Sequence, residues 1–175
     1  MSESNLPLPS TFTFYFRIID KRILSENNLL SIDYKESLKT IGSFDTVEKF
    51  WKIFQHVKKP EQYKFGLELL LFKDPIKPMW EDEHNKNGGR ISFKLKKEST
   101  SLVWEELVLN FISNSFPESI TTRVNGLTLT MRREFNFLQL WFTNYTEEFG
   151  NEIETTIRQV LSVPNEVEID VKPFK

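Results

Sequence analysis

The sequence predicts an α+β domain: an antiparallel sheet of seven to eight strands with three helices gathered on one face. Two observations carry that expectation. Aromatic residues make up 14% of the chain, with 16 Phe, and Phe, Tyr and Trp favour pleated, half-buried surfaces. Segments alternating with period two are interrupted irregularly by segments with helical spacing, the order expected of a sheet covered on one side. Such a sheet leaves its other face free to bind something.

Leu6-Pro7-Leu8-Pro9 reads as an extended lead-in, since each Pro disfavours helix in the residue before it. Residues 1–10 are therefore an extended N-terminal segment and residues 11–175 the domain. Phe12, Phe14, Phe16 and Ile18 alternate with Thr13, Tyr15 and Arg17, which predicts a strand with one apolar face. A second strand is expected around Tyr34–Ile41. Asp45, with Glu48 three residues on, marks a helix start. Val47, Phe50, Phe54 and Val57 then continue that helix to about Val57, ahead of Pro60.

Gly66–Phe72 predicts a buried strand, residues 74–89 a loop, and Ile91, Phe93 and Leu95 another strand. Ser101 is a candidate cap for a second helix, with Trp104, Leu107, Val108 and Phe111 at helical spacing. Gly126–Arg132 and Phe137–Thr143 form a hairpin. Asn151–Leu161 is a third helix and Val167–Val171 a last strand.

Composition excludes several function classes. Net charge is −2 with a pI of about 5.8, whereas a non-specific duplex binder is basic. Absence of Cys excludes disulfides, Cys-ligated zinc, iron–sulfur clusters and a Cys nucleophile, and fits a reducing compartment. No apolar run approaches the roughly 20 residues that span a bilayer, and the polar N-terminus does not resemble a secretory signal. The two histidines, His56 and His84, accompany no nucleophile, phosphate-loop or zinc motif. Neither an enzyme nor a cofactor is expected.

The segment from Lys77 to Arg90 is distinctive. It places Trp80 in a loop beside Glu81, before a Gly88-Gly89 pair that opens a strand. Two readings stand on composition alone. Trp80 folds back on the core with Glu81 solvated, or Trp80 is a stacking platform for a purine whose guanine N–H groups donate to Glu81.

This segment resembles the central motif of the eukaryotic translation initiation factor 4E family, which binds the messenger RNA 5′ cap. Residues Phe44 to Trp51 resemble the family's first-helix motif, and Leu71-Phe72-Lys73-Asp74 precedes the Trp-Glu pair as it does there. Trp104 begins a second-helix pattern ending in Phe116. Leu138-Gln139-Leu140-Trp141 resembles a late strand, with Arg132 upstream where the family keeps an Arg.

The resemblance implies a cupped sheet with helices on its convex face. It implies a concave slot gripping 7-methylguanosine between two aromatic rings, matched by Trp80 and Tyr34. Tyr34 stands where the main factor has Trp, as in the branch called the 4E-homologous protein. By the same resemblance Glu81 reads the guanine edge, Trp141 packs near the N7-methyl group, and Arg90 and Arg132 hold the cap phosphates. Phe137 replaces a family Lys, and the chain ends at Lys175 soon after its last strand, so weaker cap binding and little contact with the following nucleotide are expected.

On the helical side, Val47 and Trp51 are four apart and share a helix face. In the family this pair docks a Tyr-x-x-x-x-Leu-apolar helix of the scaffold factor 4G or of 4E-binding repressors. Pro7, Glu106 and Leu109 match further positions on that surface, while Glu105 stands where the main factor has Leu and Ser113 where it has Gly. The expectation is a monomeric, cytoplasmic cap-binding factor of translation initiation; the alternatives are a cap-binding repressor with weak scaffold binding, or an interaction module with a decayed pocket.

Overall fold

The computed structural model describes residues 5–19 and 37–175. Among them seven strands form one curved antiparallel sheet: β1 (Pro7–Ile18), β2 (Lys39–Thr46), β3 (Leu67–Lys73), β4 (Gly89–Lys96), β5 (Val124–Met131), β6 (Phe135–Phe142) and β7 (Ile169–Pro173). Their order is β2-β1-β3-β5-β6-β4-β7. The helices are α1 (Val47–Phe54), α2 (Lys97–Ile112), a four-residue α3 (Glu118–Thr121) and α4 (Glu147–Val160). The α+β expectation holds.

Strand alternation sorts the residues into two faces. Phe14, Leu71, Leu127, Leu140, Ile91 and Val171 are successive cross-strand partners across six strands. They form one row beneath the helices. Trp104, Leu107, Val108 and Phe111 of α2 and Phe149, Ile153 and Ile157 of α4 are buried in the same core. Phe12, Phe14, Phe44, Phe50 and Phe54 supply a chain of ring contacts with centroids 4.9 to 6.0 Å apart, a preferred separation for aromatic pairs. Because the period is two, a one-residue slip anywhere would carry this row to the open face.

Several boundaries differ from the sequence expectation. The first strand begins at Pro7, which pairs with Thr46. The second runs Lys39–Thr46, further along than expected. The cap of α1 is Thr46, whose Oγ1 accepts from the Lys49 N–H at 3.2 Å, while Asp45 pairs with the Lys49 ammonium at 2.7 Å. The last strand residue thus doubles as the cap. α1 ends at Phe54, three residues short of Val57. α2 starts at Lys97, directly off β4, so Ser101 lies inside the helix with its hydroxyl on Glu61. α4 starts at Glu147, capped by Thr146, four residues before the expected Asn151.

Candidate functional site

The open face carries a second set of rows. Phe72, Gly126, Trp141, Arg90 and Lys172 are successive partners across β3, β5, β6, β4 and β7. The next row is Tyr15, Leu70, Thr128, Gln139 and Ser92, and the one beyond it Arg17, Glu68, Thr130, Phe137 and Lys94. Tyr15, Leu70, Phe72, Ile76 and Trp141 pack into a small apolar cluster on this side of the sheet. Gly126 makes the cluster possible, because a Cβ there would lie 2.3 Å from the Phe72 ring. The ring lies edge-on to Trp141 at 5.4 Å.

The loop between β3 and β4 brings Trp80 and Glu81 over this floor. Asn85 is wholly buried, and its amide donates to the carbonyls of Lys77 (3.0 Å) and Met79 (2.8 Å) while its oxygen accepts from Asn125 (2.9 Å). Asp82 accepts from the Lys77 and His84 backbone N–H groups and from the His84 ring. Burial works against the Asp82 carboxylate, but these hydrogen bonds outweigh it and hold its pKa below the ordinary value. Its contribution to loop order is present above the ordinary Asp pKa and lost on acidification through the lowered one.

The backbone on both sides of Trp80 is therefore anchored, although the indole itself is 55% exposed. Asn85→Asp keeps the shape and removes both donors. It is expected to lower unfolding free energy by about 1–3 kcal/mol, the cost of leaving buried acceptors unmet. Denaturant melts check this; wild-type stability would mean that the loop is held some other way.

Beneath Trp80 lies a recess of about 300 Å³, lined by Trp80, Glu81, Arg90 and Trp141 together with Arg17, Glu68, Leu70, Thr128 and Gln139. A neighbouring recess of about 290 Å³ shares Trp80, Arg90 and Trp141 and is completed by Lys172, Pro173, Phe174 and Lys175. Four of the residues singled out from the sequence thus meet in one place. The rest of the floor, missed from the sequence, is polar and ordered. Glu68 accepts from Thr130 (2.8 Å) and from the Arg17 guanidinium (2.9 and 2.6 Å). Gln139 bridges Thr128, Ser92 and the Trp141 indole N–H. By contrast, the side chains of Glu81 and Arg90 are exposed and pair with no described residue.

Chemically, the site offers an exposed indole face, an exposed carboxylate beside it and a guanidinium within one recess. That set suits a flat, cationic or N–H-bearing ring with an anionic tail. Arg132 lies apart, in the β5–β6 turn; its side chain is exposed and its carbonyl accepts from the Lys97 ammonium. Tyr34 lies outside the described residues.

The residues expected on the helical side also assemble. The Val47 N–H donates to the Leu6 carbonyl (2.9 Å), and the Glu48 carboxylate accepts from the Leu6 N–H, which sets Pro7 beside the start of α1. Trp51 is 43% exposed, edge-on to Phe50 and Phe54. It lines a groove of about 490 Å³ with Phe54, Trp104 and Glu105. Leu109 is half-buried against the core. The Glu106 carboxylate is engaged by Ser162, whose N–H donates at 2.8 Å and whose hydroxyl lies at 3.3 Å.

Comparison with known proteins agrees with this arrangement. Residues 7–175 match the family model of eukaryotic initiation factor 4E. Translation initiation factor 4E1 of Drosophila melanogaster is 33% identical over 159 residues, 89% of this chain and 57% of the fly protein. Factor 4E of Aplysia californica is 33% identical over 93% of the chain and 74% of its own length. The initiation factor NCBP of Triticum aestivum is 31% identical over 82% of the chain and 61% of the wheat protein. The chain therefore spans somewhat over half the length of several relatives.

Among solved structures, Ascaris suum eIF4E-3 with the m2,2,7G cap superposes with a TM-score of 0.85 at 26% identity, covering 98% of this chain and 92% of that one. Schistosome eIF4E with m7GpppA and 4E-BP gives 0.83 at 25% identity, over 97% and 89%. With the sheet, the Trp80–Glu81 loop and the exposed α1 Trp all in place, the chain belongs to the eukaryotic initiation factor 4E family.

Proposed function

We propose that this chain binds the 7-methylguanosine 5′ cap of messenger RNA on the open face of its sheet and docks a translation partner helix on α1, acting in initiation without catalysing a reaction. The carrying observation is that Trp80, Glu81 and Arg90 converge on one recess from an anchored loop and strand. Relatives solved with cap analogues share the fold over nearly the whole chain. Methylation at N7 makes guanine cationic. A cation over an aromatic face gains about 2 kcal/mol or more once desolvated, with Trp the strongest partner.

Glu81 then accepts from the guanine N1–H and N2–H₂, and Arg90 takes the phosphates with forked donors. Arg132 and Tyr34 retain the roles that the family resemblance implies, as a distal phosphate contact and the opposing ring. The factor works as a monomer in the cytoplasm.

Titration of tryptophan fluorescence with 7-methyl-GTP and with GTP tests this reading. The methylated nucleotide should bind about thirtyfold more tightly, the ratio equivalent to about 2 kcal/mol; equal affinities would remove the cap from consideration. Glu81→Gln should lose at least about 1.5 kcal/mol. Wild-type binding in that variant would make the carboxylate a bystander.

A repressor-like variant of the same function is favoured by one observation. Glu105 stands on the rim of the groove that Trp51 lines, where a carboxylate disfavours an apolar partner side chain.

A further inference from the structure

We infer that the open face below the slot is a second nucleotide-binding surface. On it Phe137 stacks the first base that follows the cap, and Arg90 and Lys94 hold the phosphates between the two bases. The inference rests on the cap reading for the position of the first base.

Phe137 is the anomaly. It is 36% exposed in a central strand of a seven-stranded sheet, belongs to neither apolar cluster, and has no ring partner among the described residues. It lies on the same face as Trp141, four residues along β6, about 13 Å at 3.3 Å per residue. Its cross-strand neighbours are Thr130 and Lys94. Along β4 the residues on this face are Arg90, Ser92, Lys94 and Lys96, so cations accompany the path from the slot to Phe137.

Lys94 sits 4.4 Å over the Phe135 ring, and Lys94 and Lys96 form no ion pair with a described acid. Exposed rings interleaved with unpaired cations are the pattern of single-stranded nucleic acid binding, in which bases stack and the backbone follows the charge.

The acids nearby leave that path open. Glu166 and Glu168 share a recess of about 470 Å³ with Lys94, Lys96 and Phe135, at the end of β4 away from the Trp80 slot. Asp170 is paired with Lys172, and Glu68 with Arg17. The track therefore runs along the β6–β4 seam. Continuity with the slot and charge complementarity both commit the surface to the RNA carrying the cap, rather than to a peptide or a second copy of the chain.

The test compares 7-methyl-GTP, a capped tetranucleotide and the same tetranucleotide uncapped, each titrated into wild type, Phe137→Ala, Phe137→Tyr and Lys94→Gln. The capped tetranucleotide should bind wild type at least about fivefold more tightly than 7-methyl-GTP, as expected of one stacked base. Phe137→Ala should erase that margin while holding 7-methyl-GTP within about twofold, and Phe137→Tyr should restore it. Lys94→Gln should reduce the salt slope for the capped tetranucleotide by about one.

Equal wild-type affinities for the two capped ligands, or an equal loss of both in Phe137→Ala, would overturn the inference. So would Phe137-dependent self-association in sedimentation, which would give the patch to a second copy. If 7-methyl-GTP fails to bind but the uncapped tetranucleotide binds through Phe137, the surface stands and the cap reading falls. If no ligand binds, both fall.

Discussion

Trp80→Ala is expected to lower 7-methyl-GTP affinity by two orders of magnitude or more without changing thermal stability. Two contributions disappear together. Stacking of a base on an aromatic ring is worth about 1–3 kcal/mol, and the cation over the ring adds about 2 kcal/mol when desolvated. At 1.4 kcal/mol per decade, their sum exceeds a hundredfold. Stability is spared because the indole is more than half exposed and the loop is anchored by Asn85 and Asp82 rather than by the ring.

Trp141→Ala differs in costing stability as well, because this residue lines the same recess but is also packed into the floor. That indole is 9% exposed, edge-on to Phe72, 4.7 Å from Phe174 and hydrogen-bonded to Gln139. Its truncation should cost about 3–5 kcal/mol of stability. Calorimetric titration beside thermal melts separates the two. Wild-type affinity in a folded Trp80→Ala protein would mean that the ring is surface decoration, and the slot would have to lie elsewhere.

The parts of this molecule that were legible in its sequence are those whose information is local. Phe12, Phe14 and Phe16 announce β1 because alternation needs only a few neighbouring residues. Trp80, Glu81 and Arg90 lie within eleven positions of one another, so their convergence needs only one loop and one strand end. Arg17, Glu68 and Thr130 were not legible as a site. They meet because β1, β3 and β5 pair in one register, and no local pattern sets that register.

Helix starts failed for a related reason. Asp45 and Thr46 are both good caps in sequence terms. The pairing of Thr46 with Pro7 ends β2 at Thr46 and so chooses the cap. α2 departs from β4 without a loop, leaving Ser101 in the helix. Glu106 is the long-range case on the helical side. Its role as a bond acceptor for Ser162 spans 56 positions.

Trp51→Ala is expected to weaken a Tyr-x-x-x-x-Leu-apolar peptide at least about thirtyfold while leaving 7-methyl-GTP affinity unchanged. The ring is 43% exposed and lines a groove with Phe54 and Trp104, so docking can still bury much of it. Buried Trp is among the residue types that dominate such interfaces, at about 2–4 kcal/mol each. Cap affinity is spared because the open-face residues and α1 lie on opposite sides of the sheet.

Glu105 acts against the same peptide. Its carboxylate shares the groove with Trp51, and a partner Leu entering there must strip its hydration without offering a hydrogen bond. Glu105→Leu should therefore bind the peptide about tenfold more tightly than wild type, consistent with one poorly compensated polar group of about 1–3 kcal/mol. A large fall in melting temperature for Trp51→Ala would make the ring part of the core and end the docking assignment. Unchanged peptide affinity in Glu105→Leu would place that glutamate outside the footprint. The repressor-like alternative would then lose the observation that favours it.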